Sequence, residues 1–364
     1  MTAKQLNVVA IVPTILGYRK EAGKESRAHE VYDCVRSILA NSYEDLSVLV
    51  IDQSKTDDVR LALAPLLADR RLKYLWTEKP GKSHALNFAI RSADADVYLL
   101  TDDDCVVPPD WVERTVAVFA RHPNAAVVFG DARLPDGHSW DRTYTPFVSF
   151  GRERLLTPSF LPRIDNLMGA NMAISRPAIG RVGLFDERIG PGARLGGLHE
   201  EVDYHLRCLR AKPPLEVYVT PATYVTHQYG GRPIGAPARQ LLRTYRAGQS
   251  TLLTKHALGG DLGAACRLVL LGFEPFVGAA ANLVRSGRPR GIGVIPAYYR
   301  GLVRGFRIFA LQRAERTHSE ARRRSSPPGL TRTGSSDACA GRSCNEAETQ
   351  RGMQMHADEP HSLE

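Results

Sequence analysis

Short, fully apolar runs separated by helical stretches fill the first 130 residues of this chain and leave few folds open to it. Val8-Val9-Ala10-Ile11-Val12, Leu46-Ser47-Val48-Leu49-Val50-Ile51 and Val97-Tyr98-Leu99-Leu100 lack the polar alternation of a half-exposed strand. Strands apolar on both faces belong to a parallel sheet covered by helices on both sides. The stretches between them supply those helices. Near Glu30 to Ala40, the side chains Val31, Val35, Ile38 and Leu39 fall on one face, as a helical period requires. Further helices are expected near Asp58 to Ala68 and Ser83 to Ser92, with a strand from Leu72 to Trp76 between them. The class is α/β, a Rossmann-like, mostly parallel sheet with helices on both faces.

In such sheets ligands sit beyond the carboxyl ends of the strands. Three of those ends are polar here: Pro13-Thr14, Asp52-Gln53-Ser54 and Asp102-Asp103-Asp104. Three adjacent carboxylates repel one another, and the exit of a core strand gains nothing from them. A divalent cation resolves the repulsion, because hard oxygen ligands suit Mg²⁺ or Mn²⁺ and the cation in turn suits phosphates. The competing reading is an acidic turn capping the helix that Pro108-Pro109-Asp110-Trp111 begins.

Beyond residue 124 the pattern is mixed, with strands at Ala125 to Phe129 and Val217 to Val219 and a glycine-rich, flexible loop at Gly180 to Leu198. From Arg239 to Leu311 it is helical. Past Glu315 apolar anchors are few, and a disordered tail is expected. The anticipated organisation is thus 1–230, a catalytic α/β domain; 231–314, a basic helical section; and 315–364, the tail. The six cysteines form no C-x-x-C pair, so neither a zinc site nor a disulfide framework is indicated, and a reducing, cytoplasmic setting fits. The first apolar run is too short for a signal peptide. Leu262 to Val284 is interrupted by Arg267, Glu274 and Pro275, so it is expected to pack on protein or lie at a membrane surface rather than span. The net charge of +9 is uneven: residues 228–316 hold 14 basic against 3 acidic side chains. Such a section suits nucleic acid, anionic lipid or a phosphorylated substrate. No basic motif interleaved with aromatics occurs, so nucleic acid is not expected. Arg300, Arg304 and Arg307 share one helical face and Leu302, Phe306 and Phe309 the opposite one, which suits either a helix on anionic lipid or one packed on the catalytic domain with solvated arginines.

Met168-Gly169-Ala170-Asn171 through Arg176, Val182-Gly183-Leu184-Phe185-Asp186-Glu187 and His199-Glu200-Glu201-Val202-Asp203 complete a set with Pro13-Thr14, Asp52, Gly81-Lys82 and the aspartate triplet. In this order and spacing the set resembles glycosyltransferase family 2, the inverting nucleotide-sugar transferases of GT-A fold, over roughly residues 6–230. The resemblance implies a metal-dependent, hexosyltransferase-type enzyme of polysaccharide, glycolipid or other cell-envelope glycan synthesis. Its partners would be a nucleoside diphosphate sugar and a glycan or lipid-linked acceptor, and an anionic membrane surface at the inner face of the cell membrane.

By that resemblance Asp104 ligates Mn²⁺ or Mg²⁺, Asp102 lies beside the metal or the ribose, and His227 is a further ligand or a structural histidine. Glu201 is the catalytic base, with Glu200 as the fallback, because the family's Glu-Asp pair reads Glu-Glu here. Their other reading is the acidic first turn of a helix. Pro13, Thr14, Asp52, Gly81, Lys82, Asn87, Asp102 and Asp103 would bind the nucleotide sugar, with Gly81 letting backbone approach closely. Asn171, Arg176 and Asp203 would lie on the acceptor side. Two other functions compete: a nucleotidyltransferase of related architecture, and a non-catalytic sugar-nucleotide-binding protein. The first would leave Glu200-Glu201 unexplained.

Overall fold

The computed structural model describes residues 5–17, 27–164, 167–195, 197–286, 288 and 291–325. Each apolar run of the first half is a strand: β1 Val8–Thr14, β2 Leu46–Asp52, β3 Leu72–Trp76 and β4 Val97–Leu100. Helices α1 Ala28–Leu39, α2 Asp58–Leu63, α3 Lys82–Ser92 and α4 Trp111–Arg121 alternate with them, and β5 Ala125–Arg133 follows. Then come β6 Thr143–Tyr144, β7 Arg154–Leu156, β8 Met172–Ser175, α5 Arg176–Val182, α6 Glu200–Arg210, β9 Glu216–Thr226, β10 Arg232–Pro233, α7 Ala236–Leu258, α8 Leu262–Ser286 and α9 Ile295–Ser325.

Eight strands form one sheet in the order β3-β2-β1-β4-β8-β5-β9-β7. β1 pairs in parallel with β2 and β4, β2 with β3, and β5 with β9. β8 runs antiparallel to β4 and β5, and β7 antiparallel to β9. β1 and β4 are buried at every residue, as strands covered on both faces must be. Their register sets Ile11 opposite Leu100. β1 continues past that pair to Thr14, which therefore stands level with the aspartates leaving β4.

Two expectations need adjustment. β9 is longer than its apolar core, because its register against β5 slips between Gly130 and Asp131. Residues Pro221 to Thr223 fall inside that slip, and a proline that cannot donate to a ladder is tolerated there. The segment 180–198 is not a free loop. Its first residues belong to α5, and Phe185 and Ile189 are buried.

The helical section is continuous with the α/β part. Residues 1–315 form one compact unit, so no domain boundary falls at 230. Val202 and Leu206 of α6 share a core with Leu252 and Leu253 of α7 and Ala264 and Leu271 of α8. A buried charge cluster adds to that core: Lys255 Nζ lies 2.6 Å from Asp203 Oδ1 and 2.9 Å from Asp186 Oδ2. The second unit, 316–364, is described only over 316–325, where it is helical. Residues 315–325 thus depart from the expected disorder, and 326–364 lie outside the described residues.

Candidate active site

The three aspartates after β4 point three ways. Asp103 accepts a 2.7 Å hydrogen bond from the Thr14 hydroxyl and pairs with Arg27 at 3.2 Å. Asp104 Oδ1 lies 3.3 Å from His227 Nε2. Asp102 Oδ1 pairs with Lys82 Nζ. Adjacent residues leaving a strand diverge, which lets three carboxylates coexist by giving each its own partner.

Lys82 carries the site across to α6. Its Nζ also lies 3.2 Å from Glu200 Oε1, so one ammonium joins the strand-end acids to the acids that open the helix. The N-terminus of α6 favours negative charge there. Two glycines make room. A Cβ at Gly169 would stand 3.3 Å from Lys82 Nζ and 3.5 Å from Glu201 Cβ. Gly190, at φ +115°, would place a Cβ 2.8 Å from Ser83 Oγ and 3.4 Å from Glu200 Oε2. His199, immediately before the two glutamates, is the one non-glycine residue with positive φ among those described, at +83°. Such a conformation costs roughly 1–2 kcal/mol for an L-residue, and strain of this kind gathers at functional sites.

The electrostatics separate the acids. Burial and the neighbouring Glu200 charge push the Glu201 carboxyl well above the usual range, against the pull of Lys82. Burial opposes the charge on Lys82, but Asp102 and Glu200 outweigh it and hold the ammonium firmly protonated. Burial, opposed by Arg27 and Thr14 but helped by Asp104, raises Asp103 to about 6. Asp104 is the reverse: burial would raise it, yet His227 beside it holds it well below the carboxylate range. Its partner His227 is raised to about 9, burial being outweighed by Asp104.

The donor set around Asp104 fits a divalent cation. Ligand atoms of Asp104, Cys105 and His227 lie within 4.8 Å of one another. His227 Nδ1 is 2.9 Å from the Pro146 carbonyl. A carbonyl only accepts, so Nδ1 carries the proton, and once the ring is neutral Nε2 turns a lone pair toward Asp104. Cys105 is unsuited as a thiolate ligand, because burial, with nearby Asp104, drives its thiol well up. The carboxylate oxygen suits Mn²⁺ or Mg²⁺, the imidazole nitrogen favours the softer Mn²⁺ over Mg²⁺, and a bound cation would displace the histidine proton.

Several residues singled out in the sequence are engaged elsewhere. Asn87 donates to the Phe185 carbonyl and accepts from its N–H, both at 2.9 Å, so it clamps the 183–187 segment to α3. Asn171 accepts from Trp111 Nε1 and donates to the Asp131 carbonyl, both at 3.0 Å. It ties α4 to β5. Asp203, 1% exposed, is bound by Lys255, His256 and Arg207. It anchors α6 to α7. Arg176 holds the Ala95 carbonyl and Asp94, below the opposite end of β4. Asp52 is fully buried, with Oδ1 on the Ser54 N–H and Oδ2 on the Tyr74 hydroxyl, so it presents no free atom to a ligand. Pro13 is buried within β1. Gly81 lies against Gly192 and Ala193, so the backbone it admits is the protein's own. Accessible around the edge are Lys82, Asp102, Asp103 and Glu201, with Asp104 and His227 just beneath.

Arg27, His199 and Tyr245 escaped the sequence reading. Tyr245 stacks edge-on to His199 at 5.8 Å, and its hydroxyl is raised by burial and by Glu201. Arg27 and Tyr245 lie outside any contiguous motif and no local pattern marks them, whereas His199 opens the His199-to-Asp203 segment, which assigned it no role. Gly169 had a signal, since it stands inside the Met168-to-Asn171 segment.

Residues 24–183 match the family described as Glycosyl transferase family 2. Among curated proteins, the chain is 25% identical over 182 residues to the glucosyl-dolichyl phosphate glucuronosyltransferase of Haloferax volcanii, covering 49% of this chain and 57% of that one. It is 21% identical over 164 residues to an uncharacterized glycosyltransferase of Rickettsia conorii, covering 44% of this chain and 27% of that one. The chain thus spans about half the length of the first of these relatives and about a quarter of the second. Among solved structures, a mannosyltransferase from Pyrobaculum calidifontis, determined with GDP-Man and Mn²⁺, superposes with a TM-score of 0.51 at 16% identity, over 84% of this chain and 88% of that one. That likeness concerns the fold. The matched segment, which contains the lysine that opens α3, the aspartate triplet and Gly169, is similar to glycosyl transferase family 2, and the sheet is similar in fold to that mannosyltransferase.

Proposed function

We propose that the protein transfers a sugar, of hexosyl type, from a nucleoside diphosphate donor to an acceptor hydroxyl with inversion at the anomeric carbon. The observation that carries the reading is the lysine-bridged pair of acidic clusters, with the raised Glu201 on one side and Asp104–His227 on the other. In a single displacement the acceptor oxygen bonds to the anomeric carbon, and the bond from that carbon to the diphosphate oxygen breaks. The electron pair leaves with the diphosphate, and the hydroxyl proton passes to Glu201. Burial and Glu200 raise this carboxyl above the usual range, which makes its ionised form a stronger proton acceptor than an ordinary glutamate. Asp104 and His227 would hold Mn²⁺ or Mg²⁺, with Asp102 beside them, and the bound cation would neutralise charge on the departing diphosphate. Lys82 offers a second positive charge at the same edge. Thr14 and Arg27 fix Asp103 and so keep the triplet splayed.

The acceptor we favour is a glycan or a lipid-linked hydroxyl of the cell envelope. Glu201→Gln tests the base: turnover should be lost while a sugar nucleotide with Mn²⁺ still raises the melting temperature. A variant that kept turnover would remove Glu201 from the role. No thermal shift with any sugar nucleotide would overturn donor binding itself. A nucleotidyltransferase leaves Glu201 without a task, and a non-catalytic binding protein gains nothing from a buried carboxyl poised high.

A further inference from the structure

Helix α8 carries apolar side chains on two opposite faces. One is accounted for, since Ala264 and Leu271 are buried in the core shared with α6 and α7. The other is not. Leu262, Val269, Phe273, Phe276, Val277 and Val284 expose between 54% and 87% of their surface. Their spacing puts them on one arc of the helix. Arg267, Glu274 and Arg285 fall together along one border of that arc, and Arg267 and Glu274 pair with each other at 2.6 Å. The apolar surface continues off the helix. Leu270, Phe273 and Val277 wall one side of a groove of about 740 Å³ whose other side includes Leu156, Leu161 and Ile164. Soluble monomers rarely expose a contiguous apolar patch beyond a few hundred Å².

We infer that this face seats the protein on an anionic membrane surface, with α8 lying in the interfacial plane. Charge identifies the occupant. Between Leu262 and Arg313 the chain holds eight arginines and one acid, Glu274. A second copy would bring the same positive rim against it, whereas anionic headgroups complement it. Length and composition alone would let Leu262–Arg285 cross a bilayer, and 22% of that stretch is buried. Crossing, however, would strip Ala264 and Leu271 from the core and carry Arg267 and Glu274 into hydrocarbon, where charged side chains are costly. Lying flat keeps both in place. Because α8 and α6 share a core, the seat also fixes how far the Glu200–Glu201 turn stands from the membrane. The inference is independent of the chemistry proposed above, since vesicle binding needs no donor.

Flotation of the full chain with vesicles tests it. The protein should float with phosphatidylcholine vesicles containing phosphatidylglycerol and much less with phosphatidylcholine alone. Phe273→Asp with Val277→Asp should reduce flotation at least tenfold at an unchanged melting temperature, both side chains being exposed. Arg285→Gln and Arg288→Gln should each weaken it about fivefold at low salt. Alkaline carbonate should release the protein from cell membranes. Binding that ignored the aspartates, or no binding to anionic vesicles, would overturn the proposal. So would retention after carbonate, which marks a spanning helix, or a solution dimer that the aspartates dissociate.

Discussion

Two runs of acids face each other in this protein, and they are used differently. The triplet Asp102-Asp103-Asp104 sits half-buried at a sheet edge, and each carboxylate has a cationic partner from another element: Lys82, Arg27 and His227. The acids of α6 all lie in its first turn. Glu200 shares Lys82, Asp203 is locked among Lys255, His256 and Arg207, and Glu201 has no cation within ion-pair distance among the described residues. The lesson is that acidity in a motif says little until partners are known. Asp203 supports the fold, Glu200 holds the lysine, and Glu201 is left high and available.

The sharpest way to break that comparison is to exchange the roles. Glu201→Gln should cut turnover by about 10²–10⁴-fold and leave the melting temperature nearly unchanged. Asp203→Ala should do the opposite, destabilising by about 3–5 kcal/mol because Lys255 would keep only Asp186 and Arg207 would lose its carboxylate, as thermal or urea unfolding would report. If Asp203→Ala proved stable but inactive, the division between the two would fail.

Asp104→Asn comes next. It should abolish the rise in melting temperature that Mn²⁺ gives the unmodified protein, while Asp103→Asn retains most of it. Equal losses in both variants would place the metal across the triplet rather than at Asp104.

The pH dependence distinguishes the clusters more finely. Turnover should climb with pH as Glu201 ionises, with a midpoint above the ordinary glutamate value of about 4.3 because burial and Glu200 raise it. Stability runs the other way. The folded carboxyl keeps its proton after the unfolded one has lost it, so its contribution is full below about pH 4.3 and is lost as pH rises through the folded value. Glu201→Gln should flatten that decline in a pH series of unfolding curves. The smallest effect belongs to Thr14→Val, about 1 kcal/mol. It should also raise Asp103 further above about 6, because the Thr14 hydroxyl stabilises its charge. Carboxyl titration by NMR would follow this.

Much of the fold was legible because apolar runs and helical spacing are local. β1, β2, β3 and β4 fall within two residues of their sequence-based bounds, and the polar strand ends mark the edge where the acids gather. The roles of Asn87, Asn171 and Asp203 were not legible, since each depends on a partner far along the chain: Phe185, Trp111 and Lys255. A motif supplies the letter but not the neighbour that occupies it. The slip in β9 and the union of α7 with α6 were hidden for the same reason. Both depend on pairing between distant segments.

His199 ties the two halves of the molecule in another way. Its left-handed backbone is backed by α7, where a Cβ on Gly248 would come within 2.5 Å of its ring and 3.0 Å of the Leu198 backbone. The missing side chain at residue 248 is thus the rest against which the start of α6 leans. Adding one methyl group there would act as a wedge and tilt the pivot from which Glu200 and Glu201 hang. The alignment proposed for Glu201 is therefore encoded partly in a helix some fifty residues downstream.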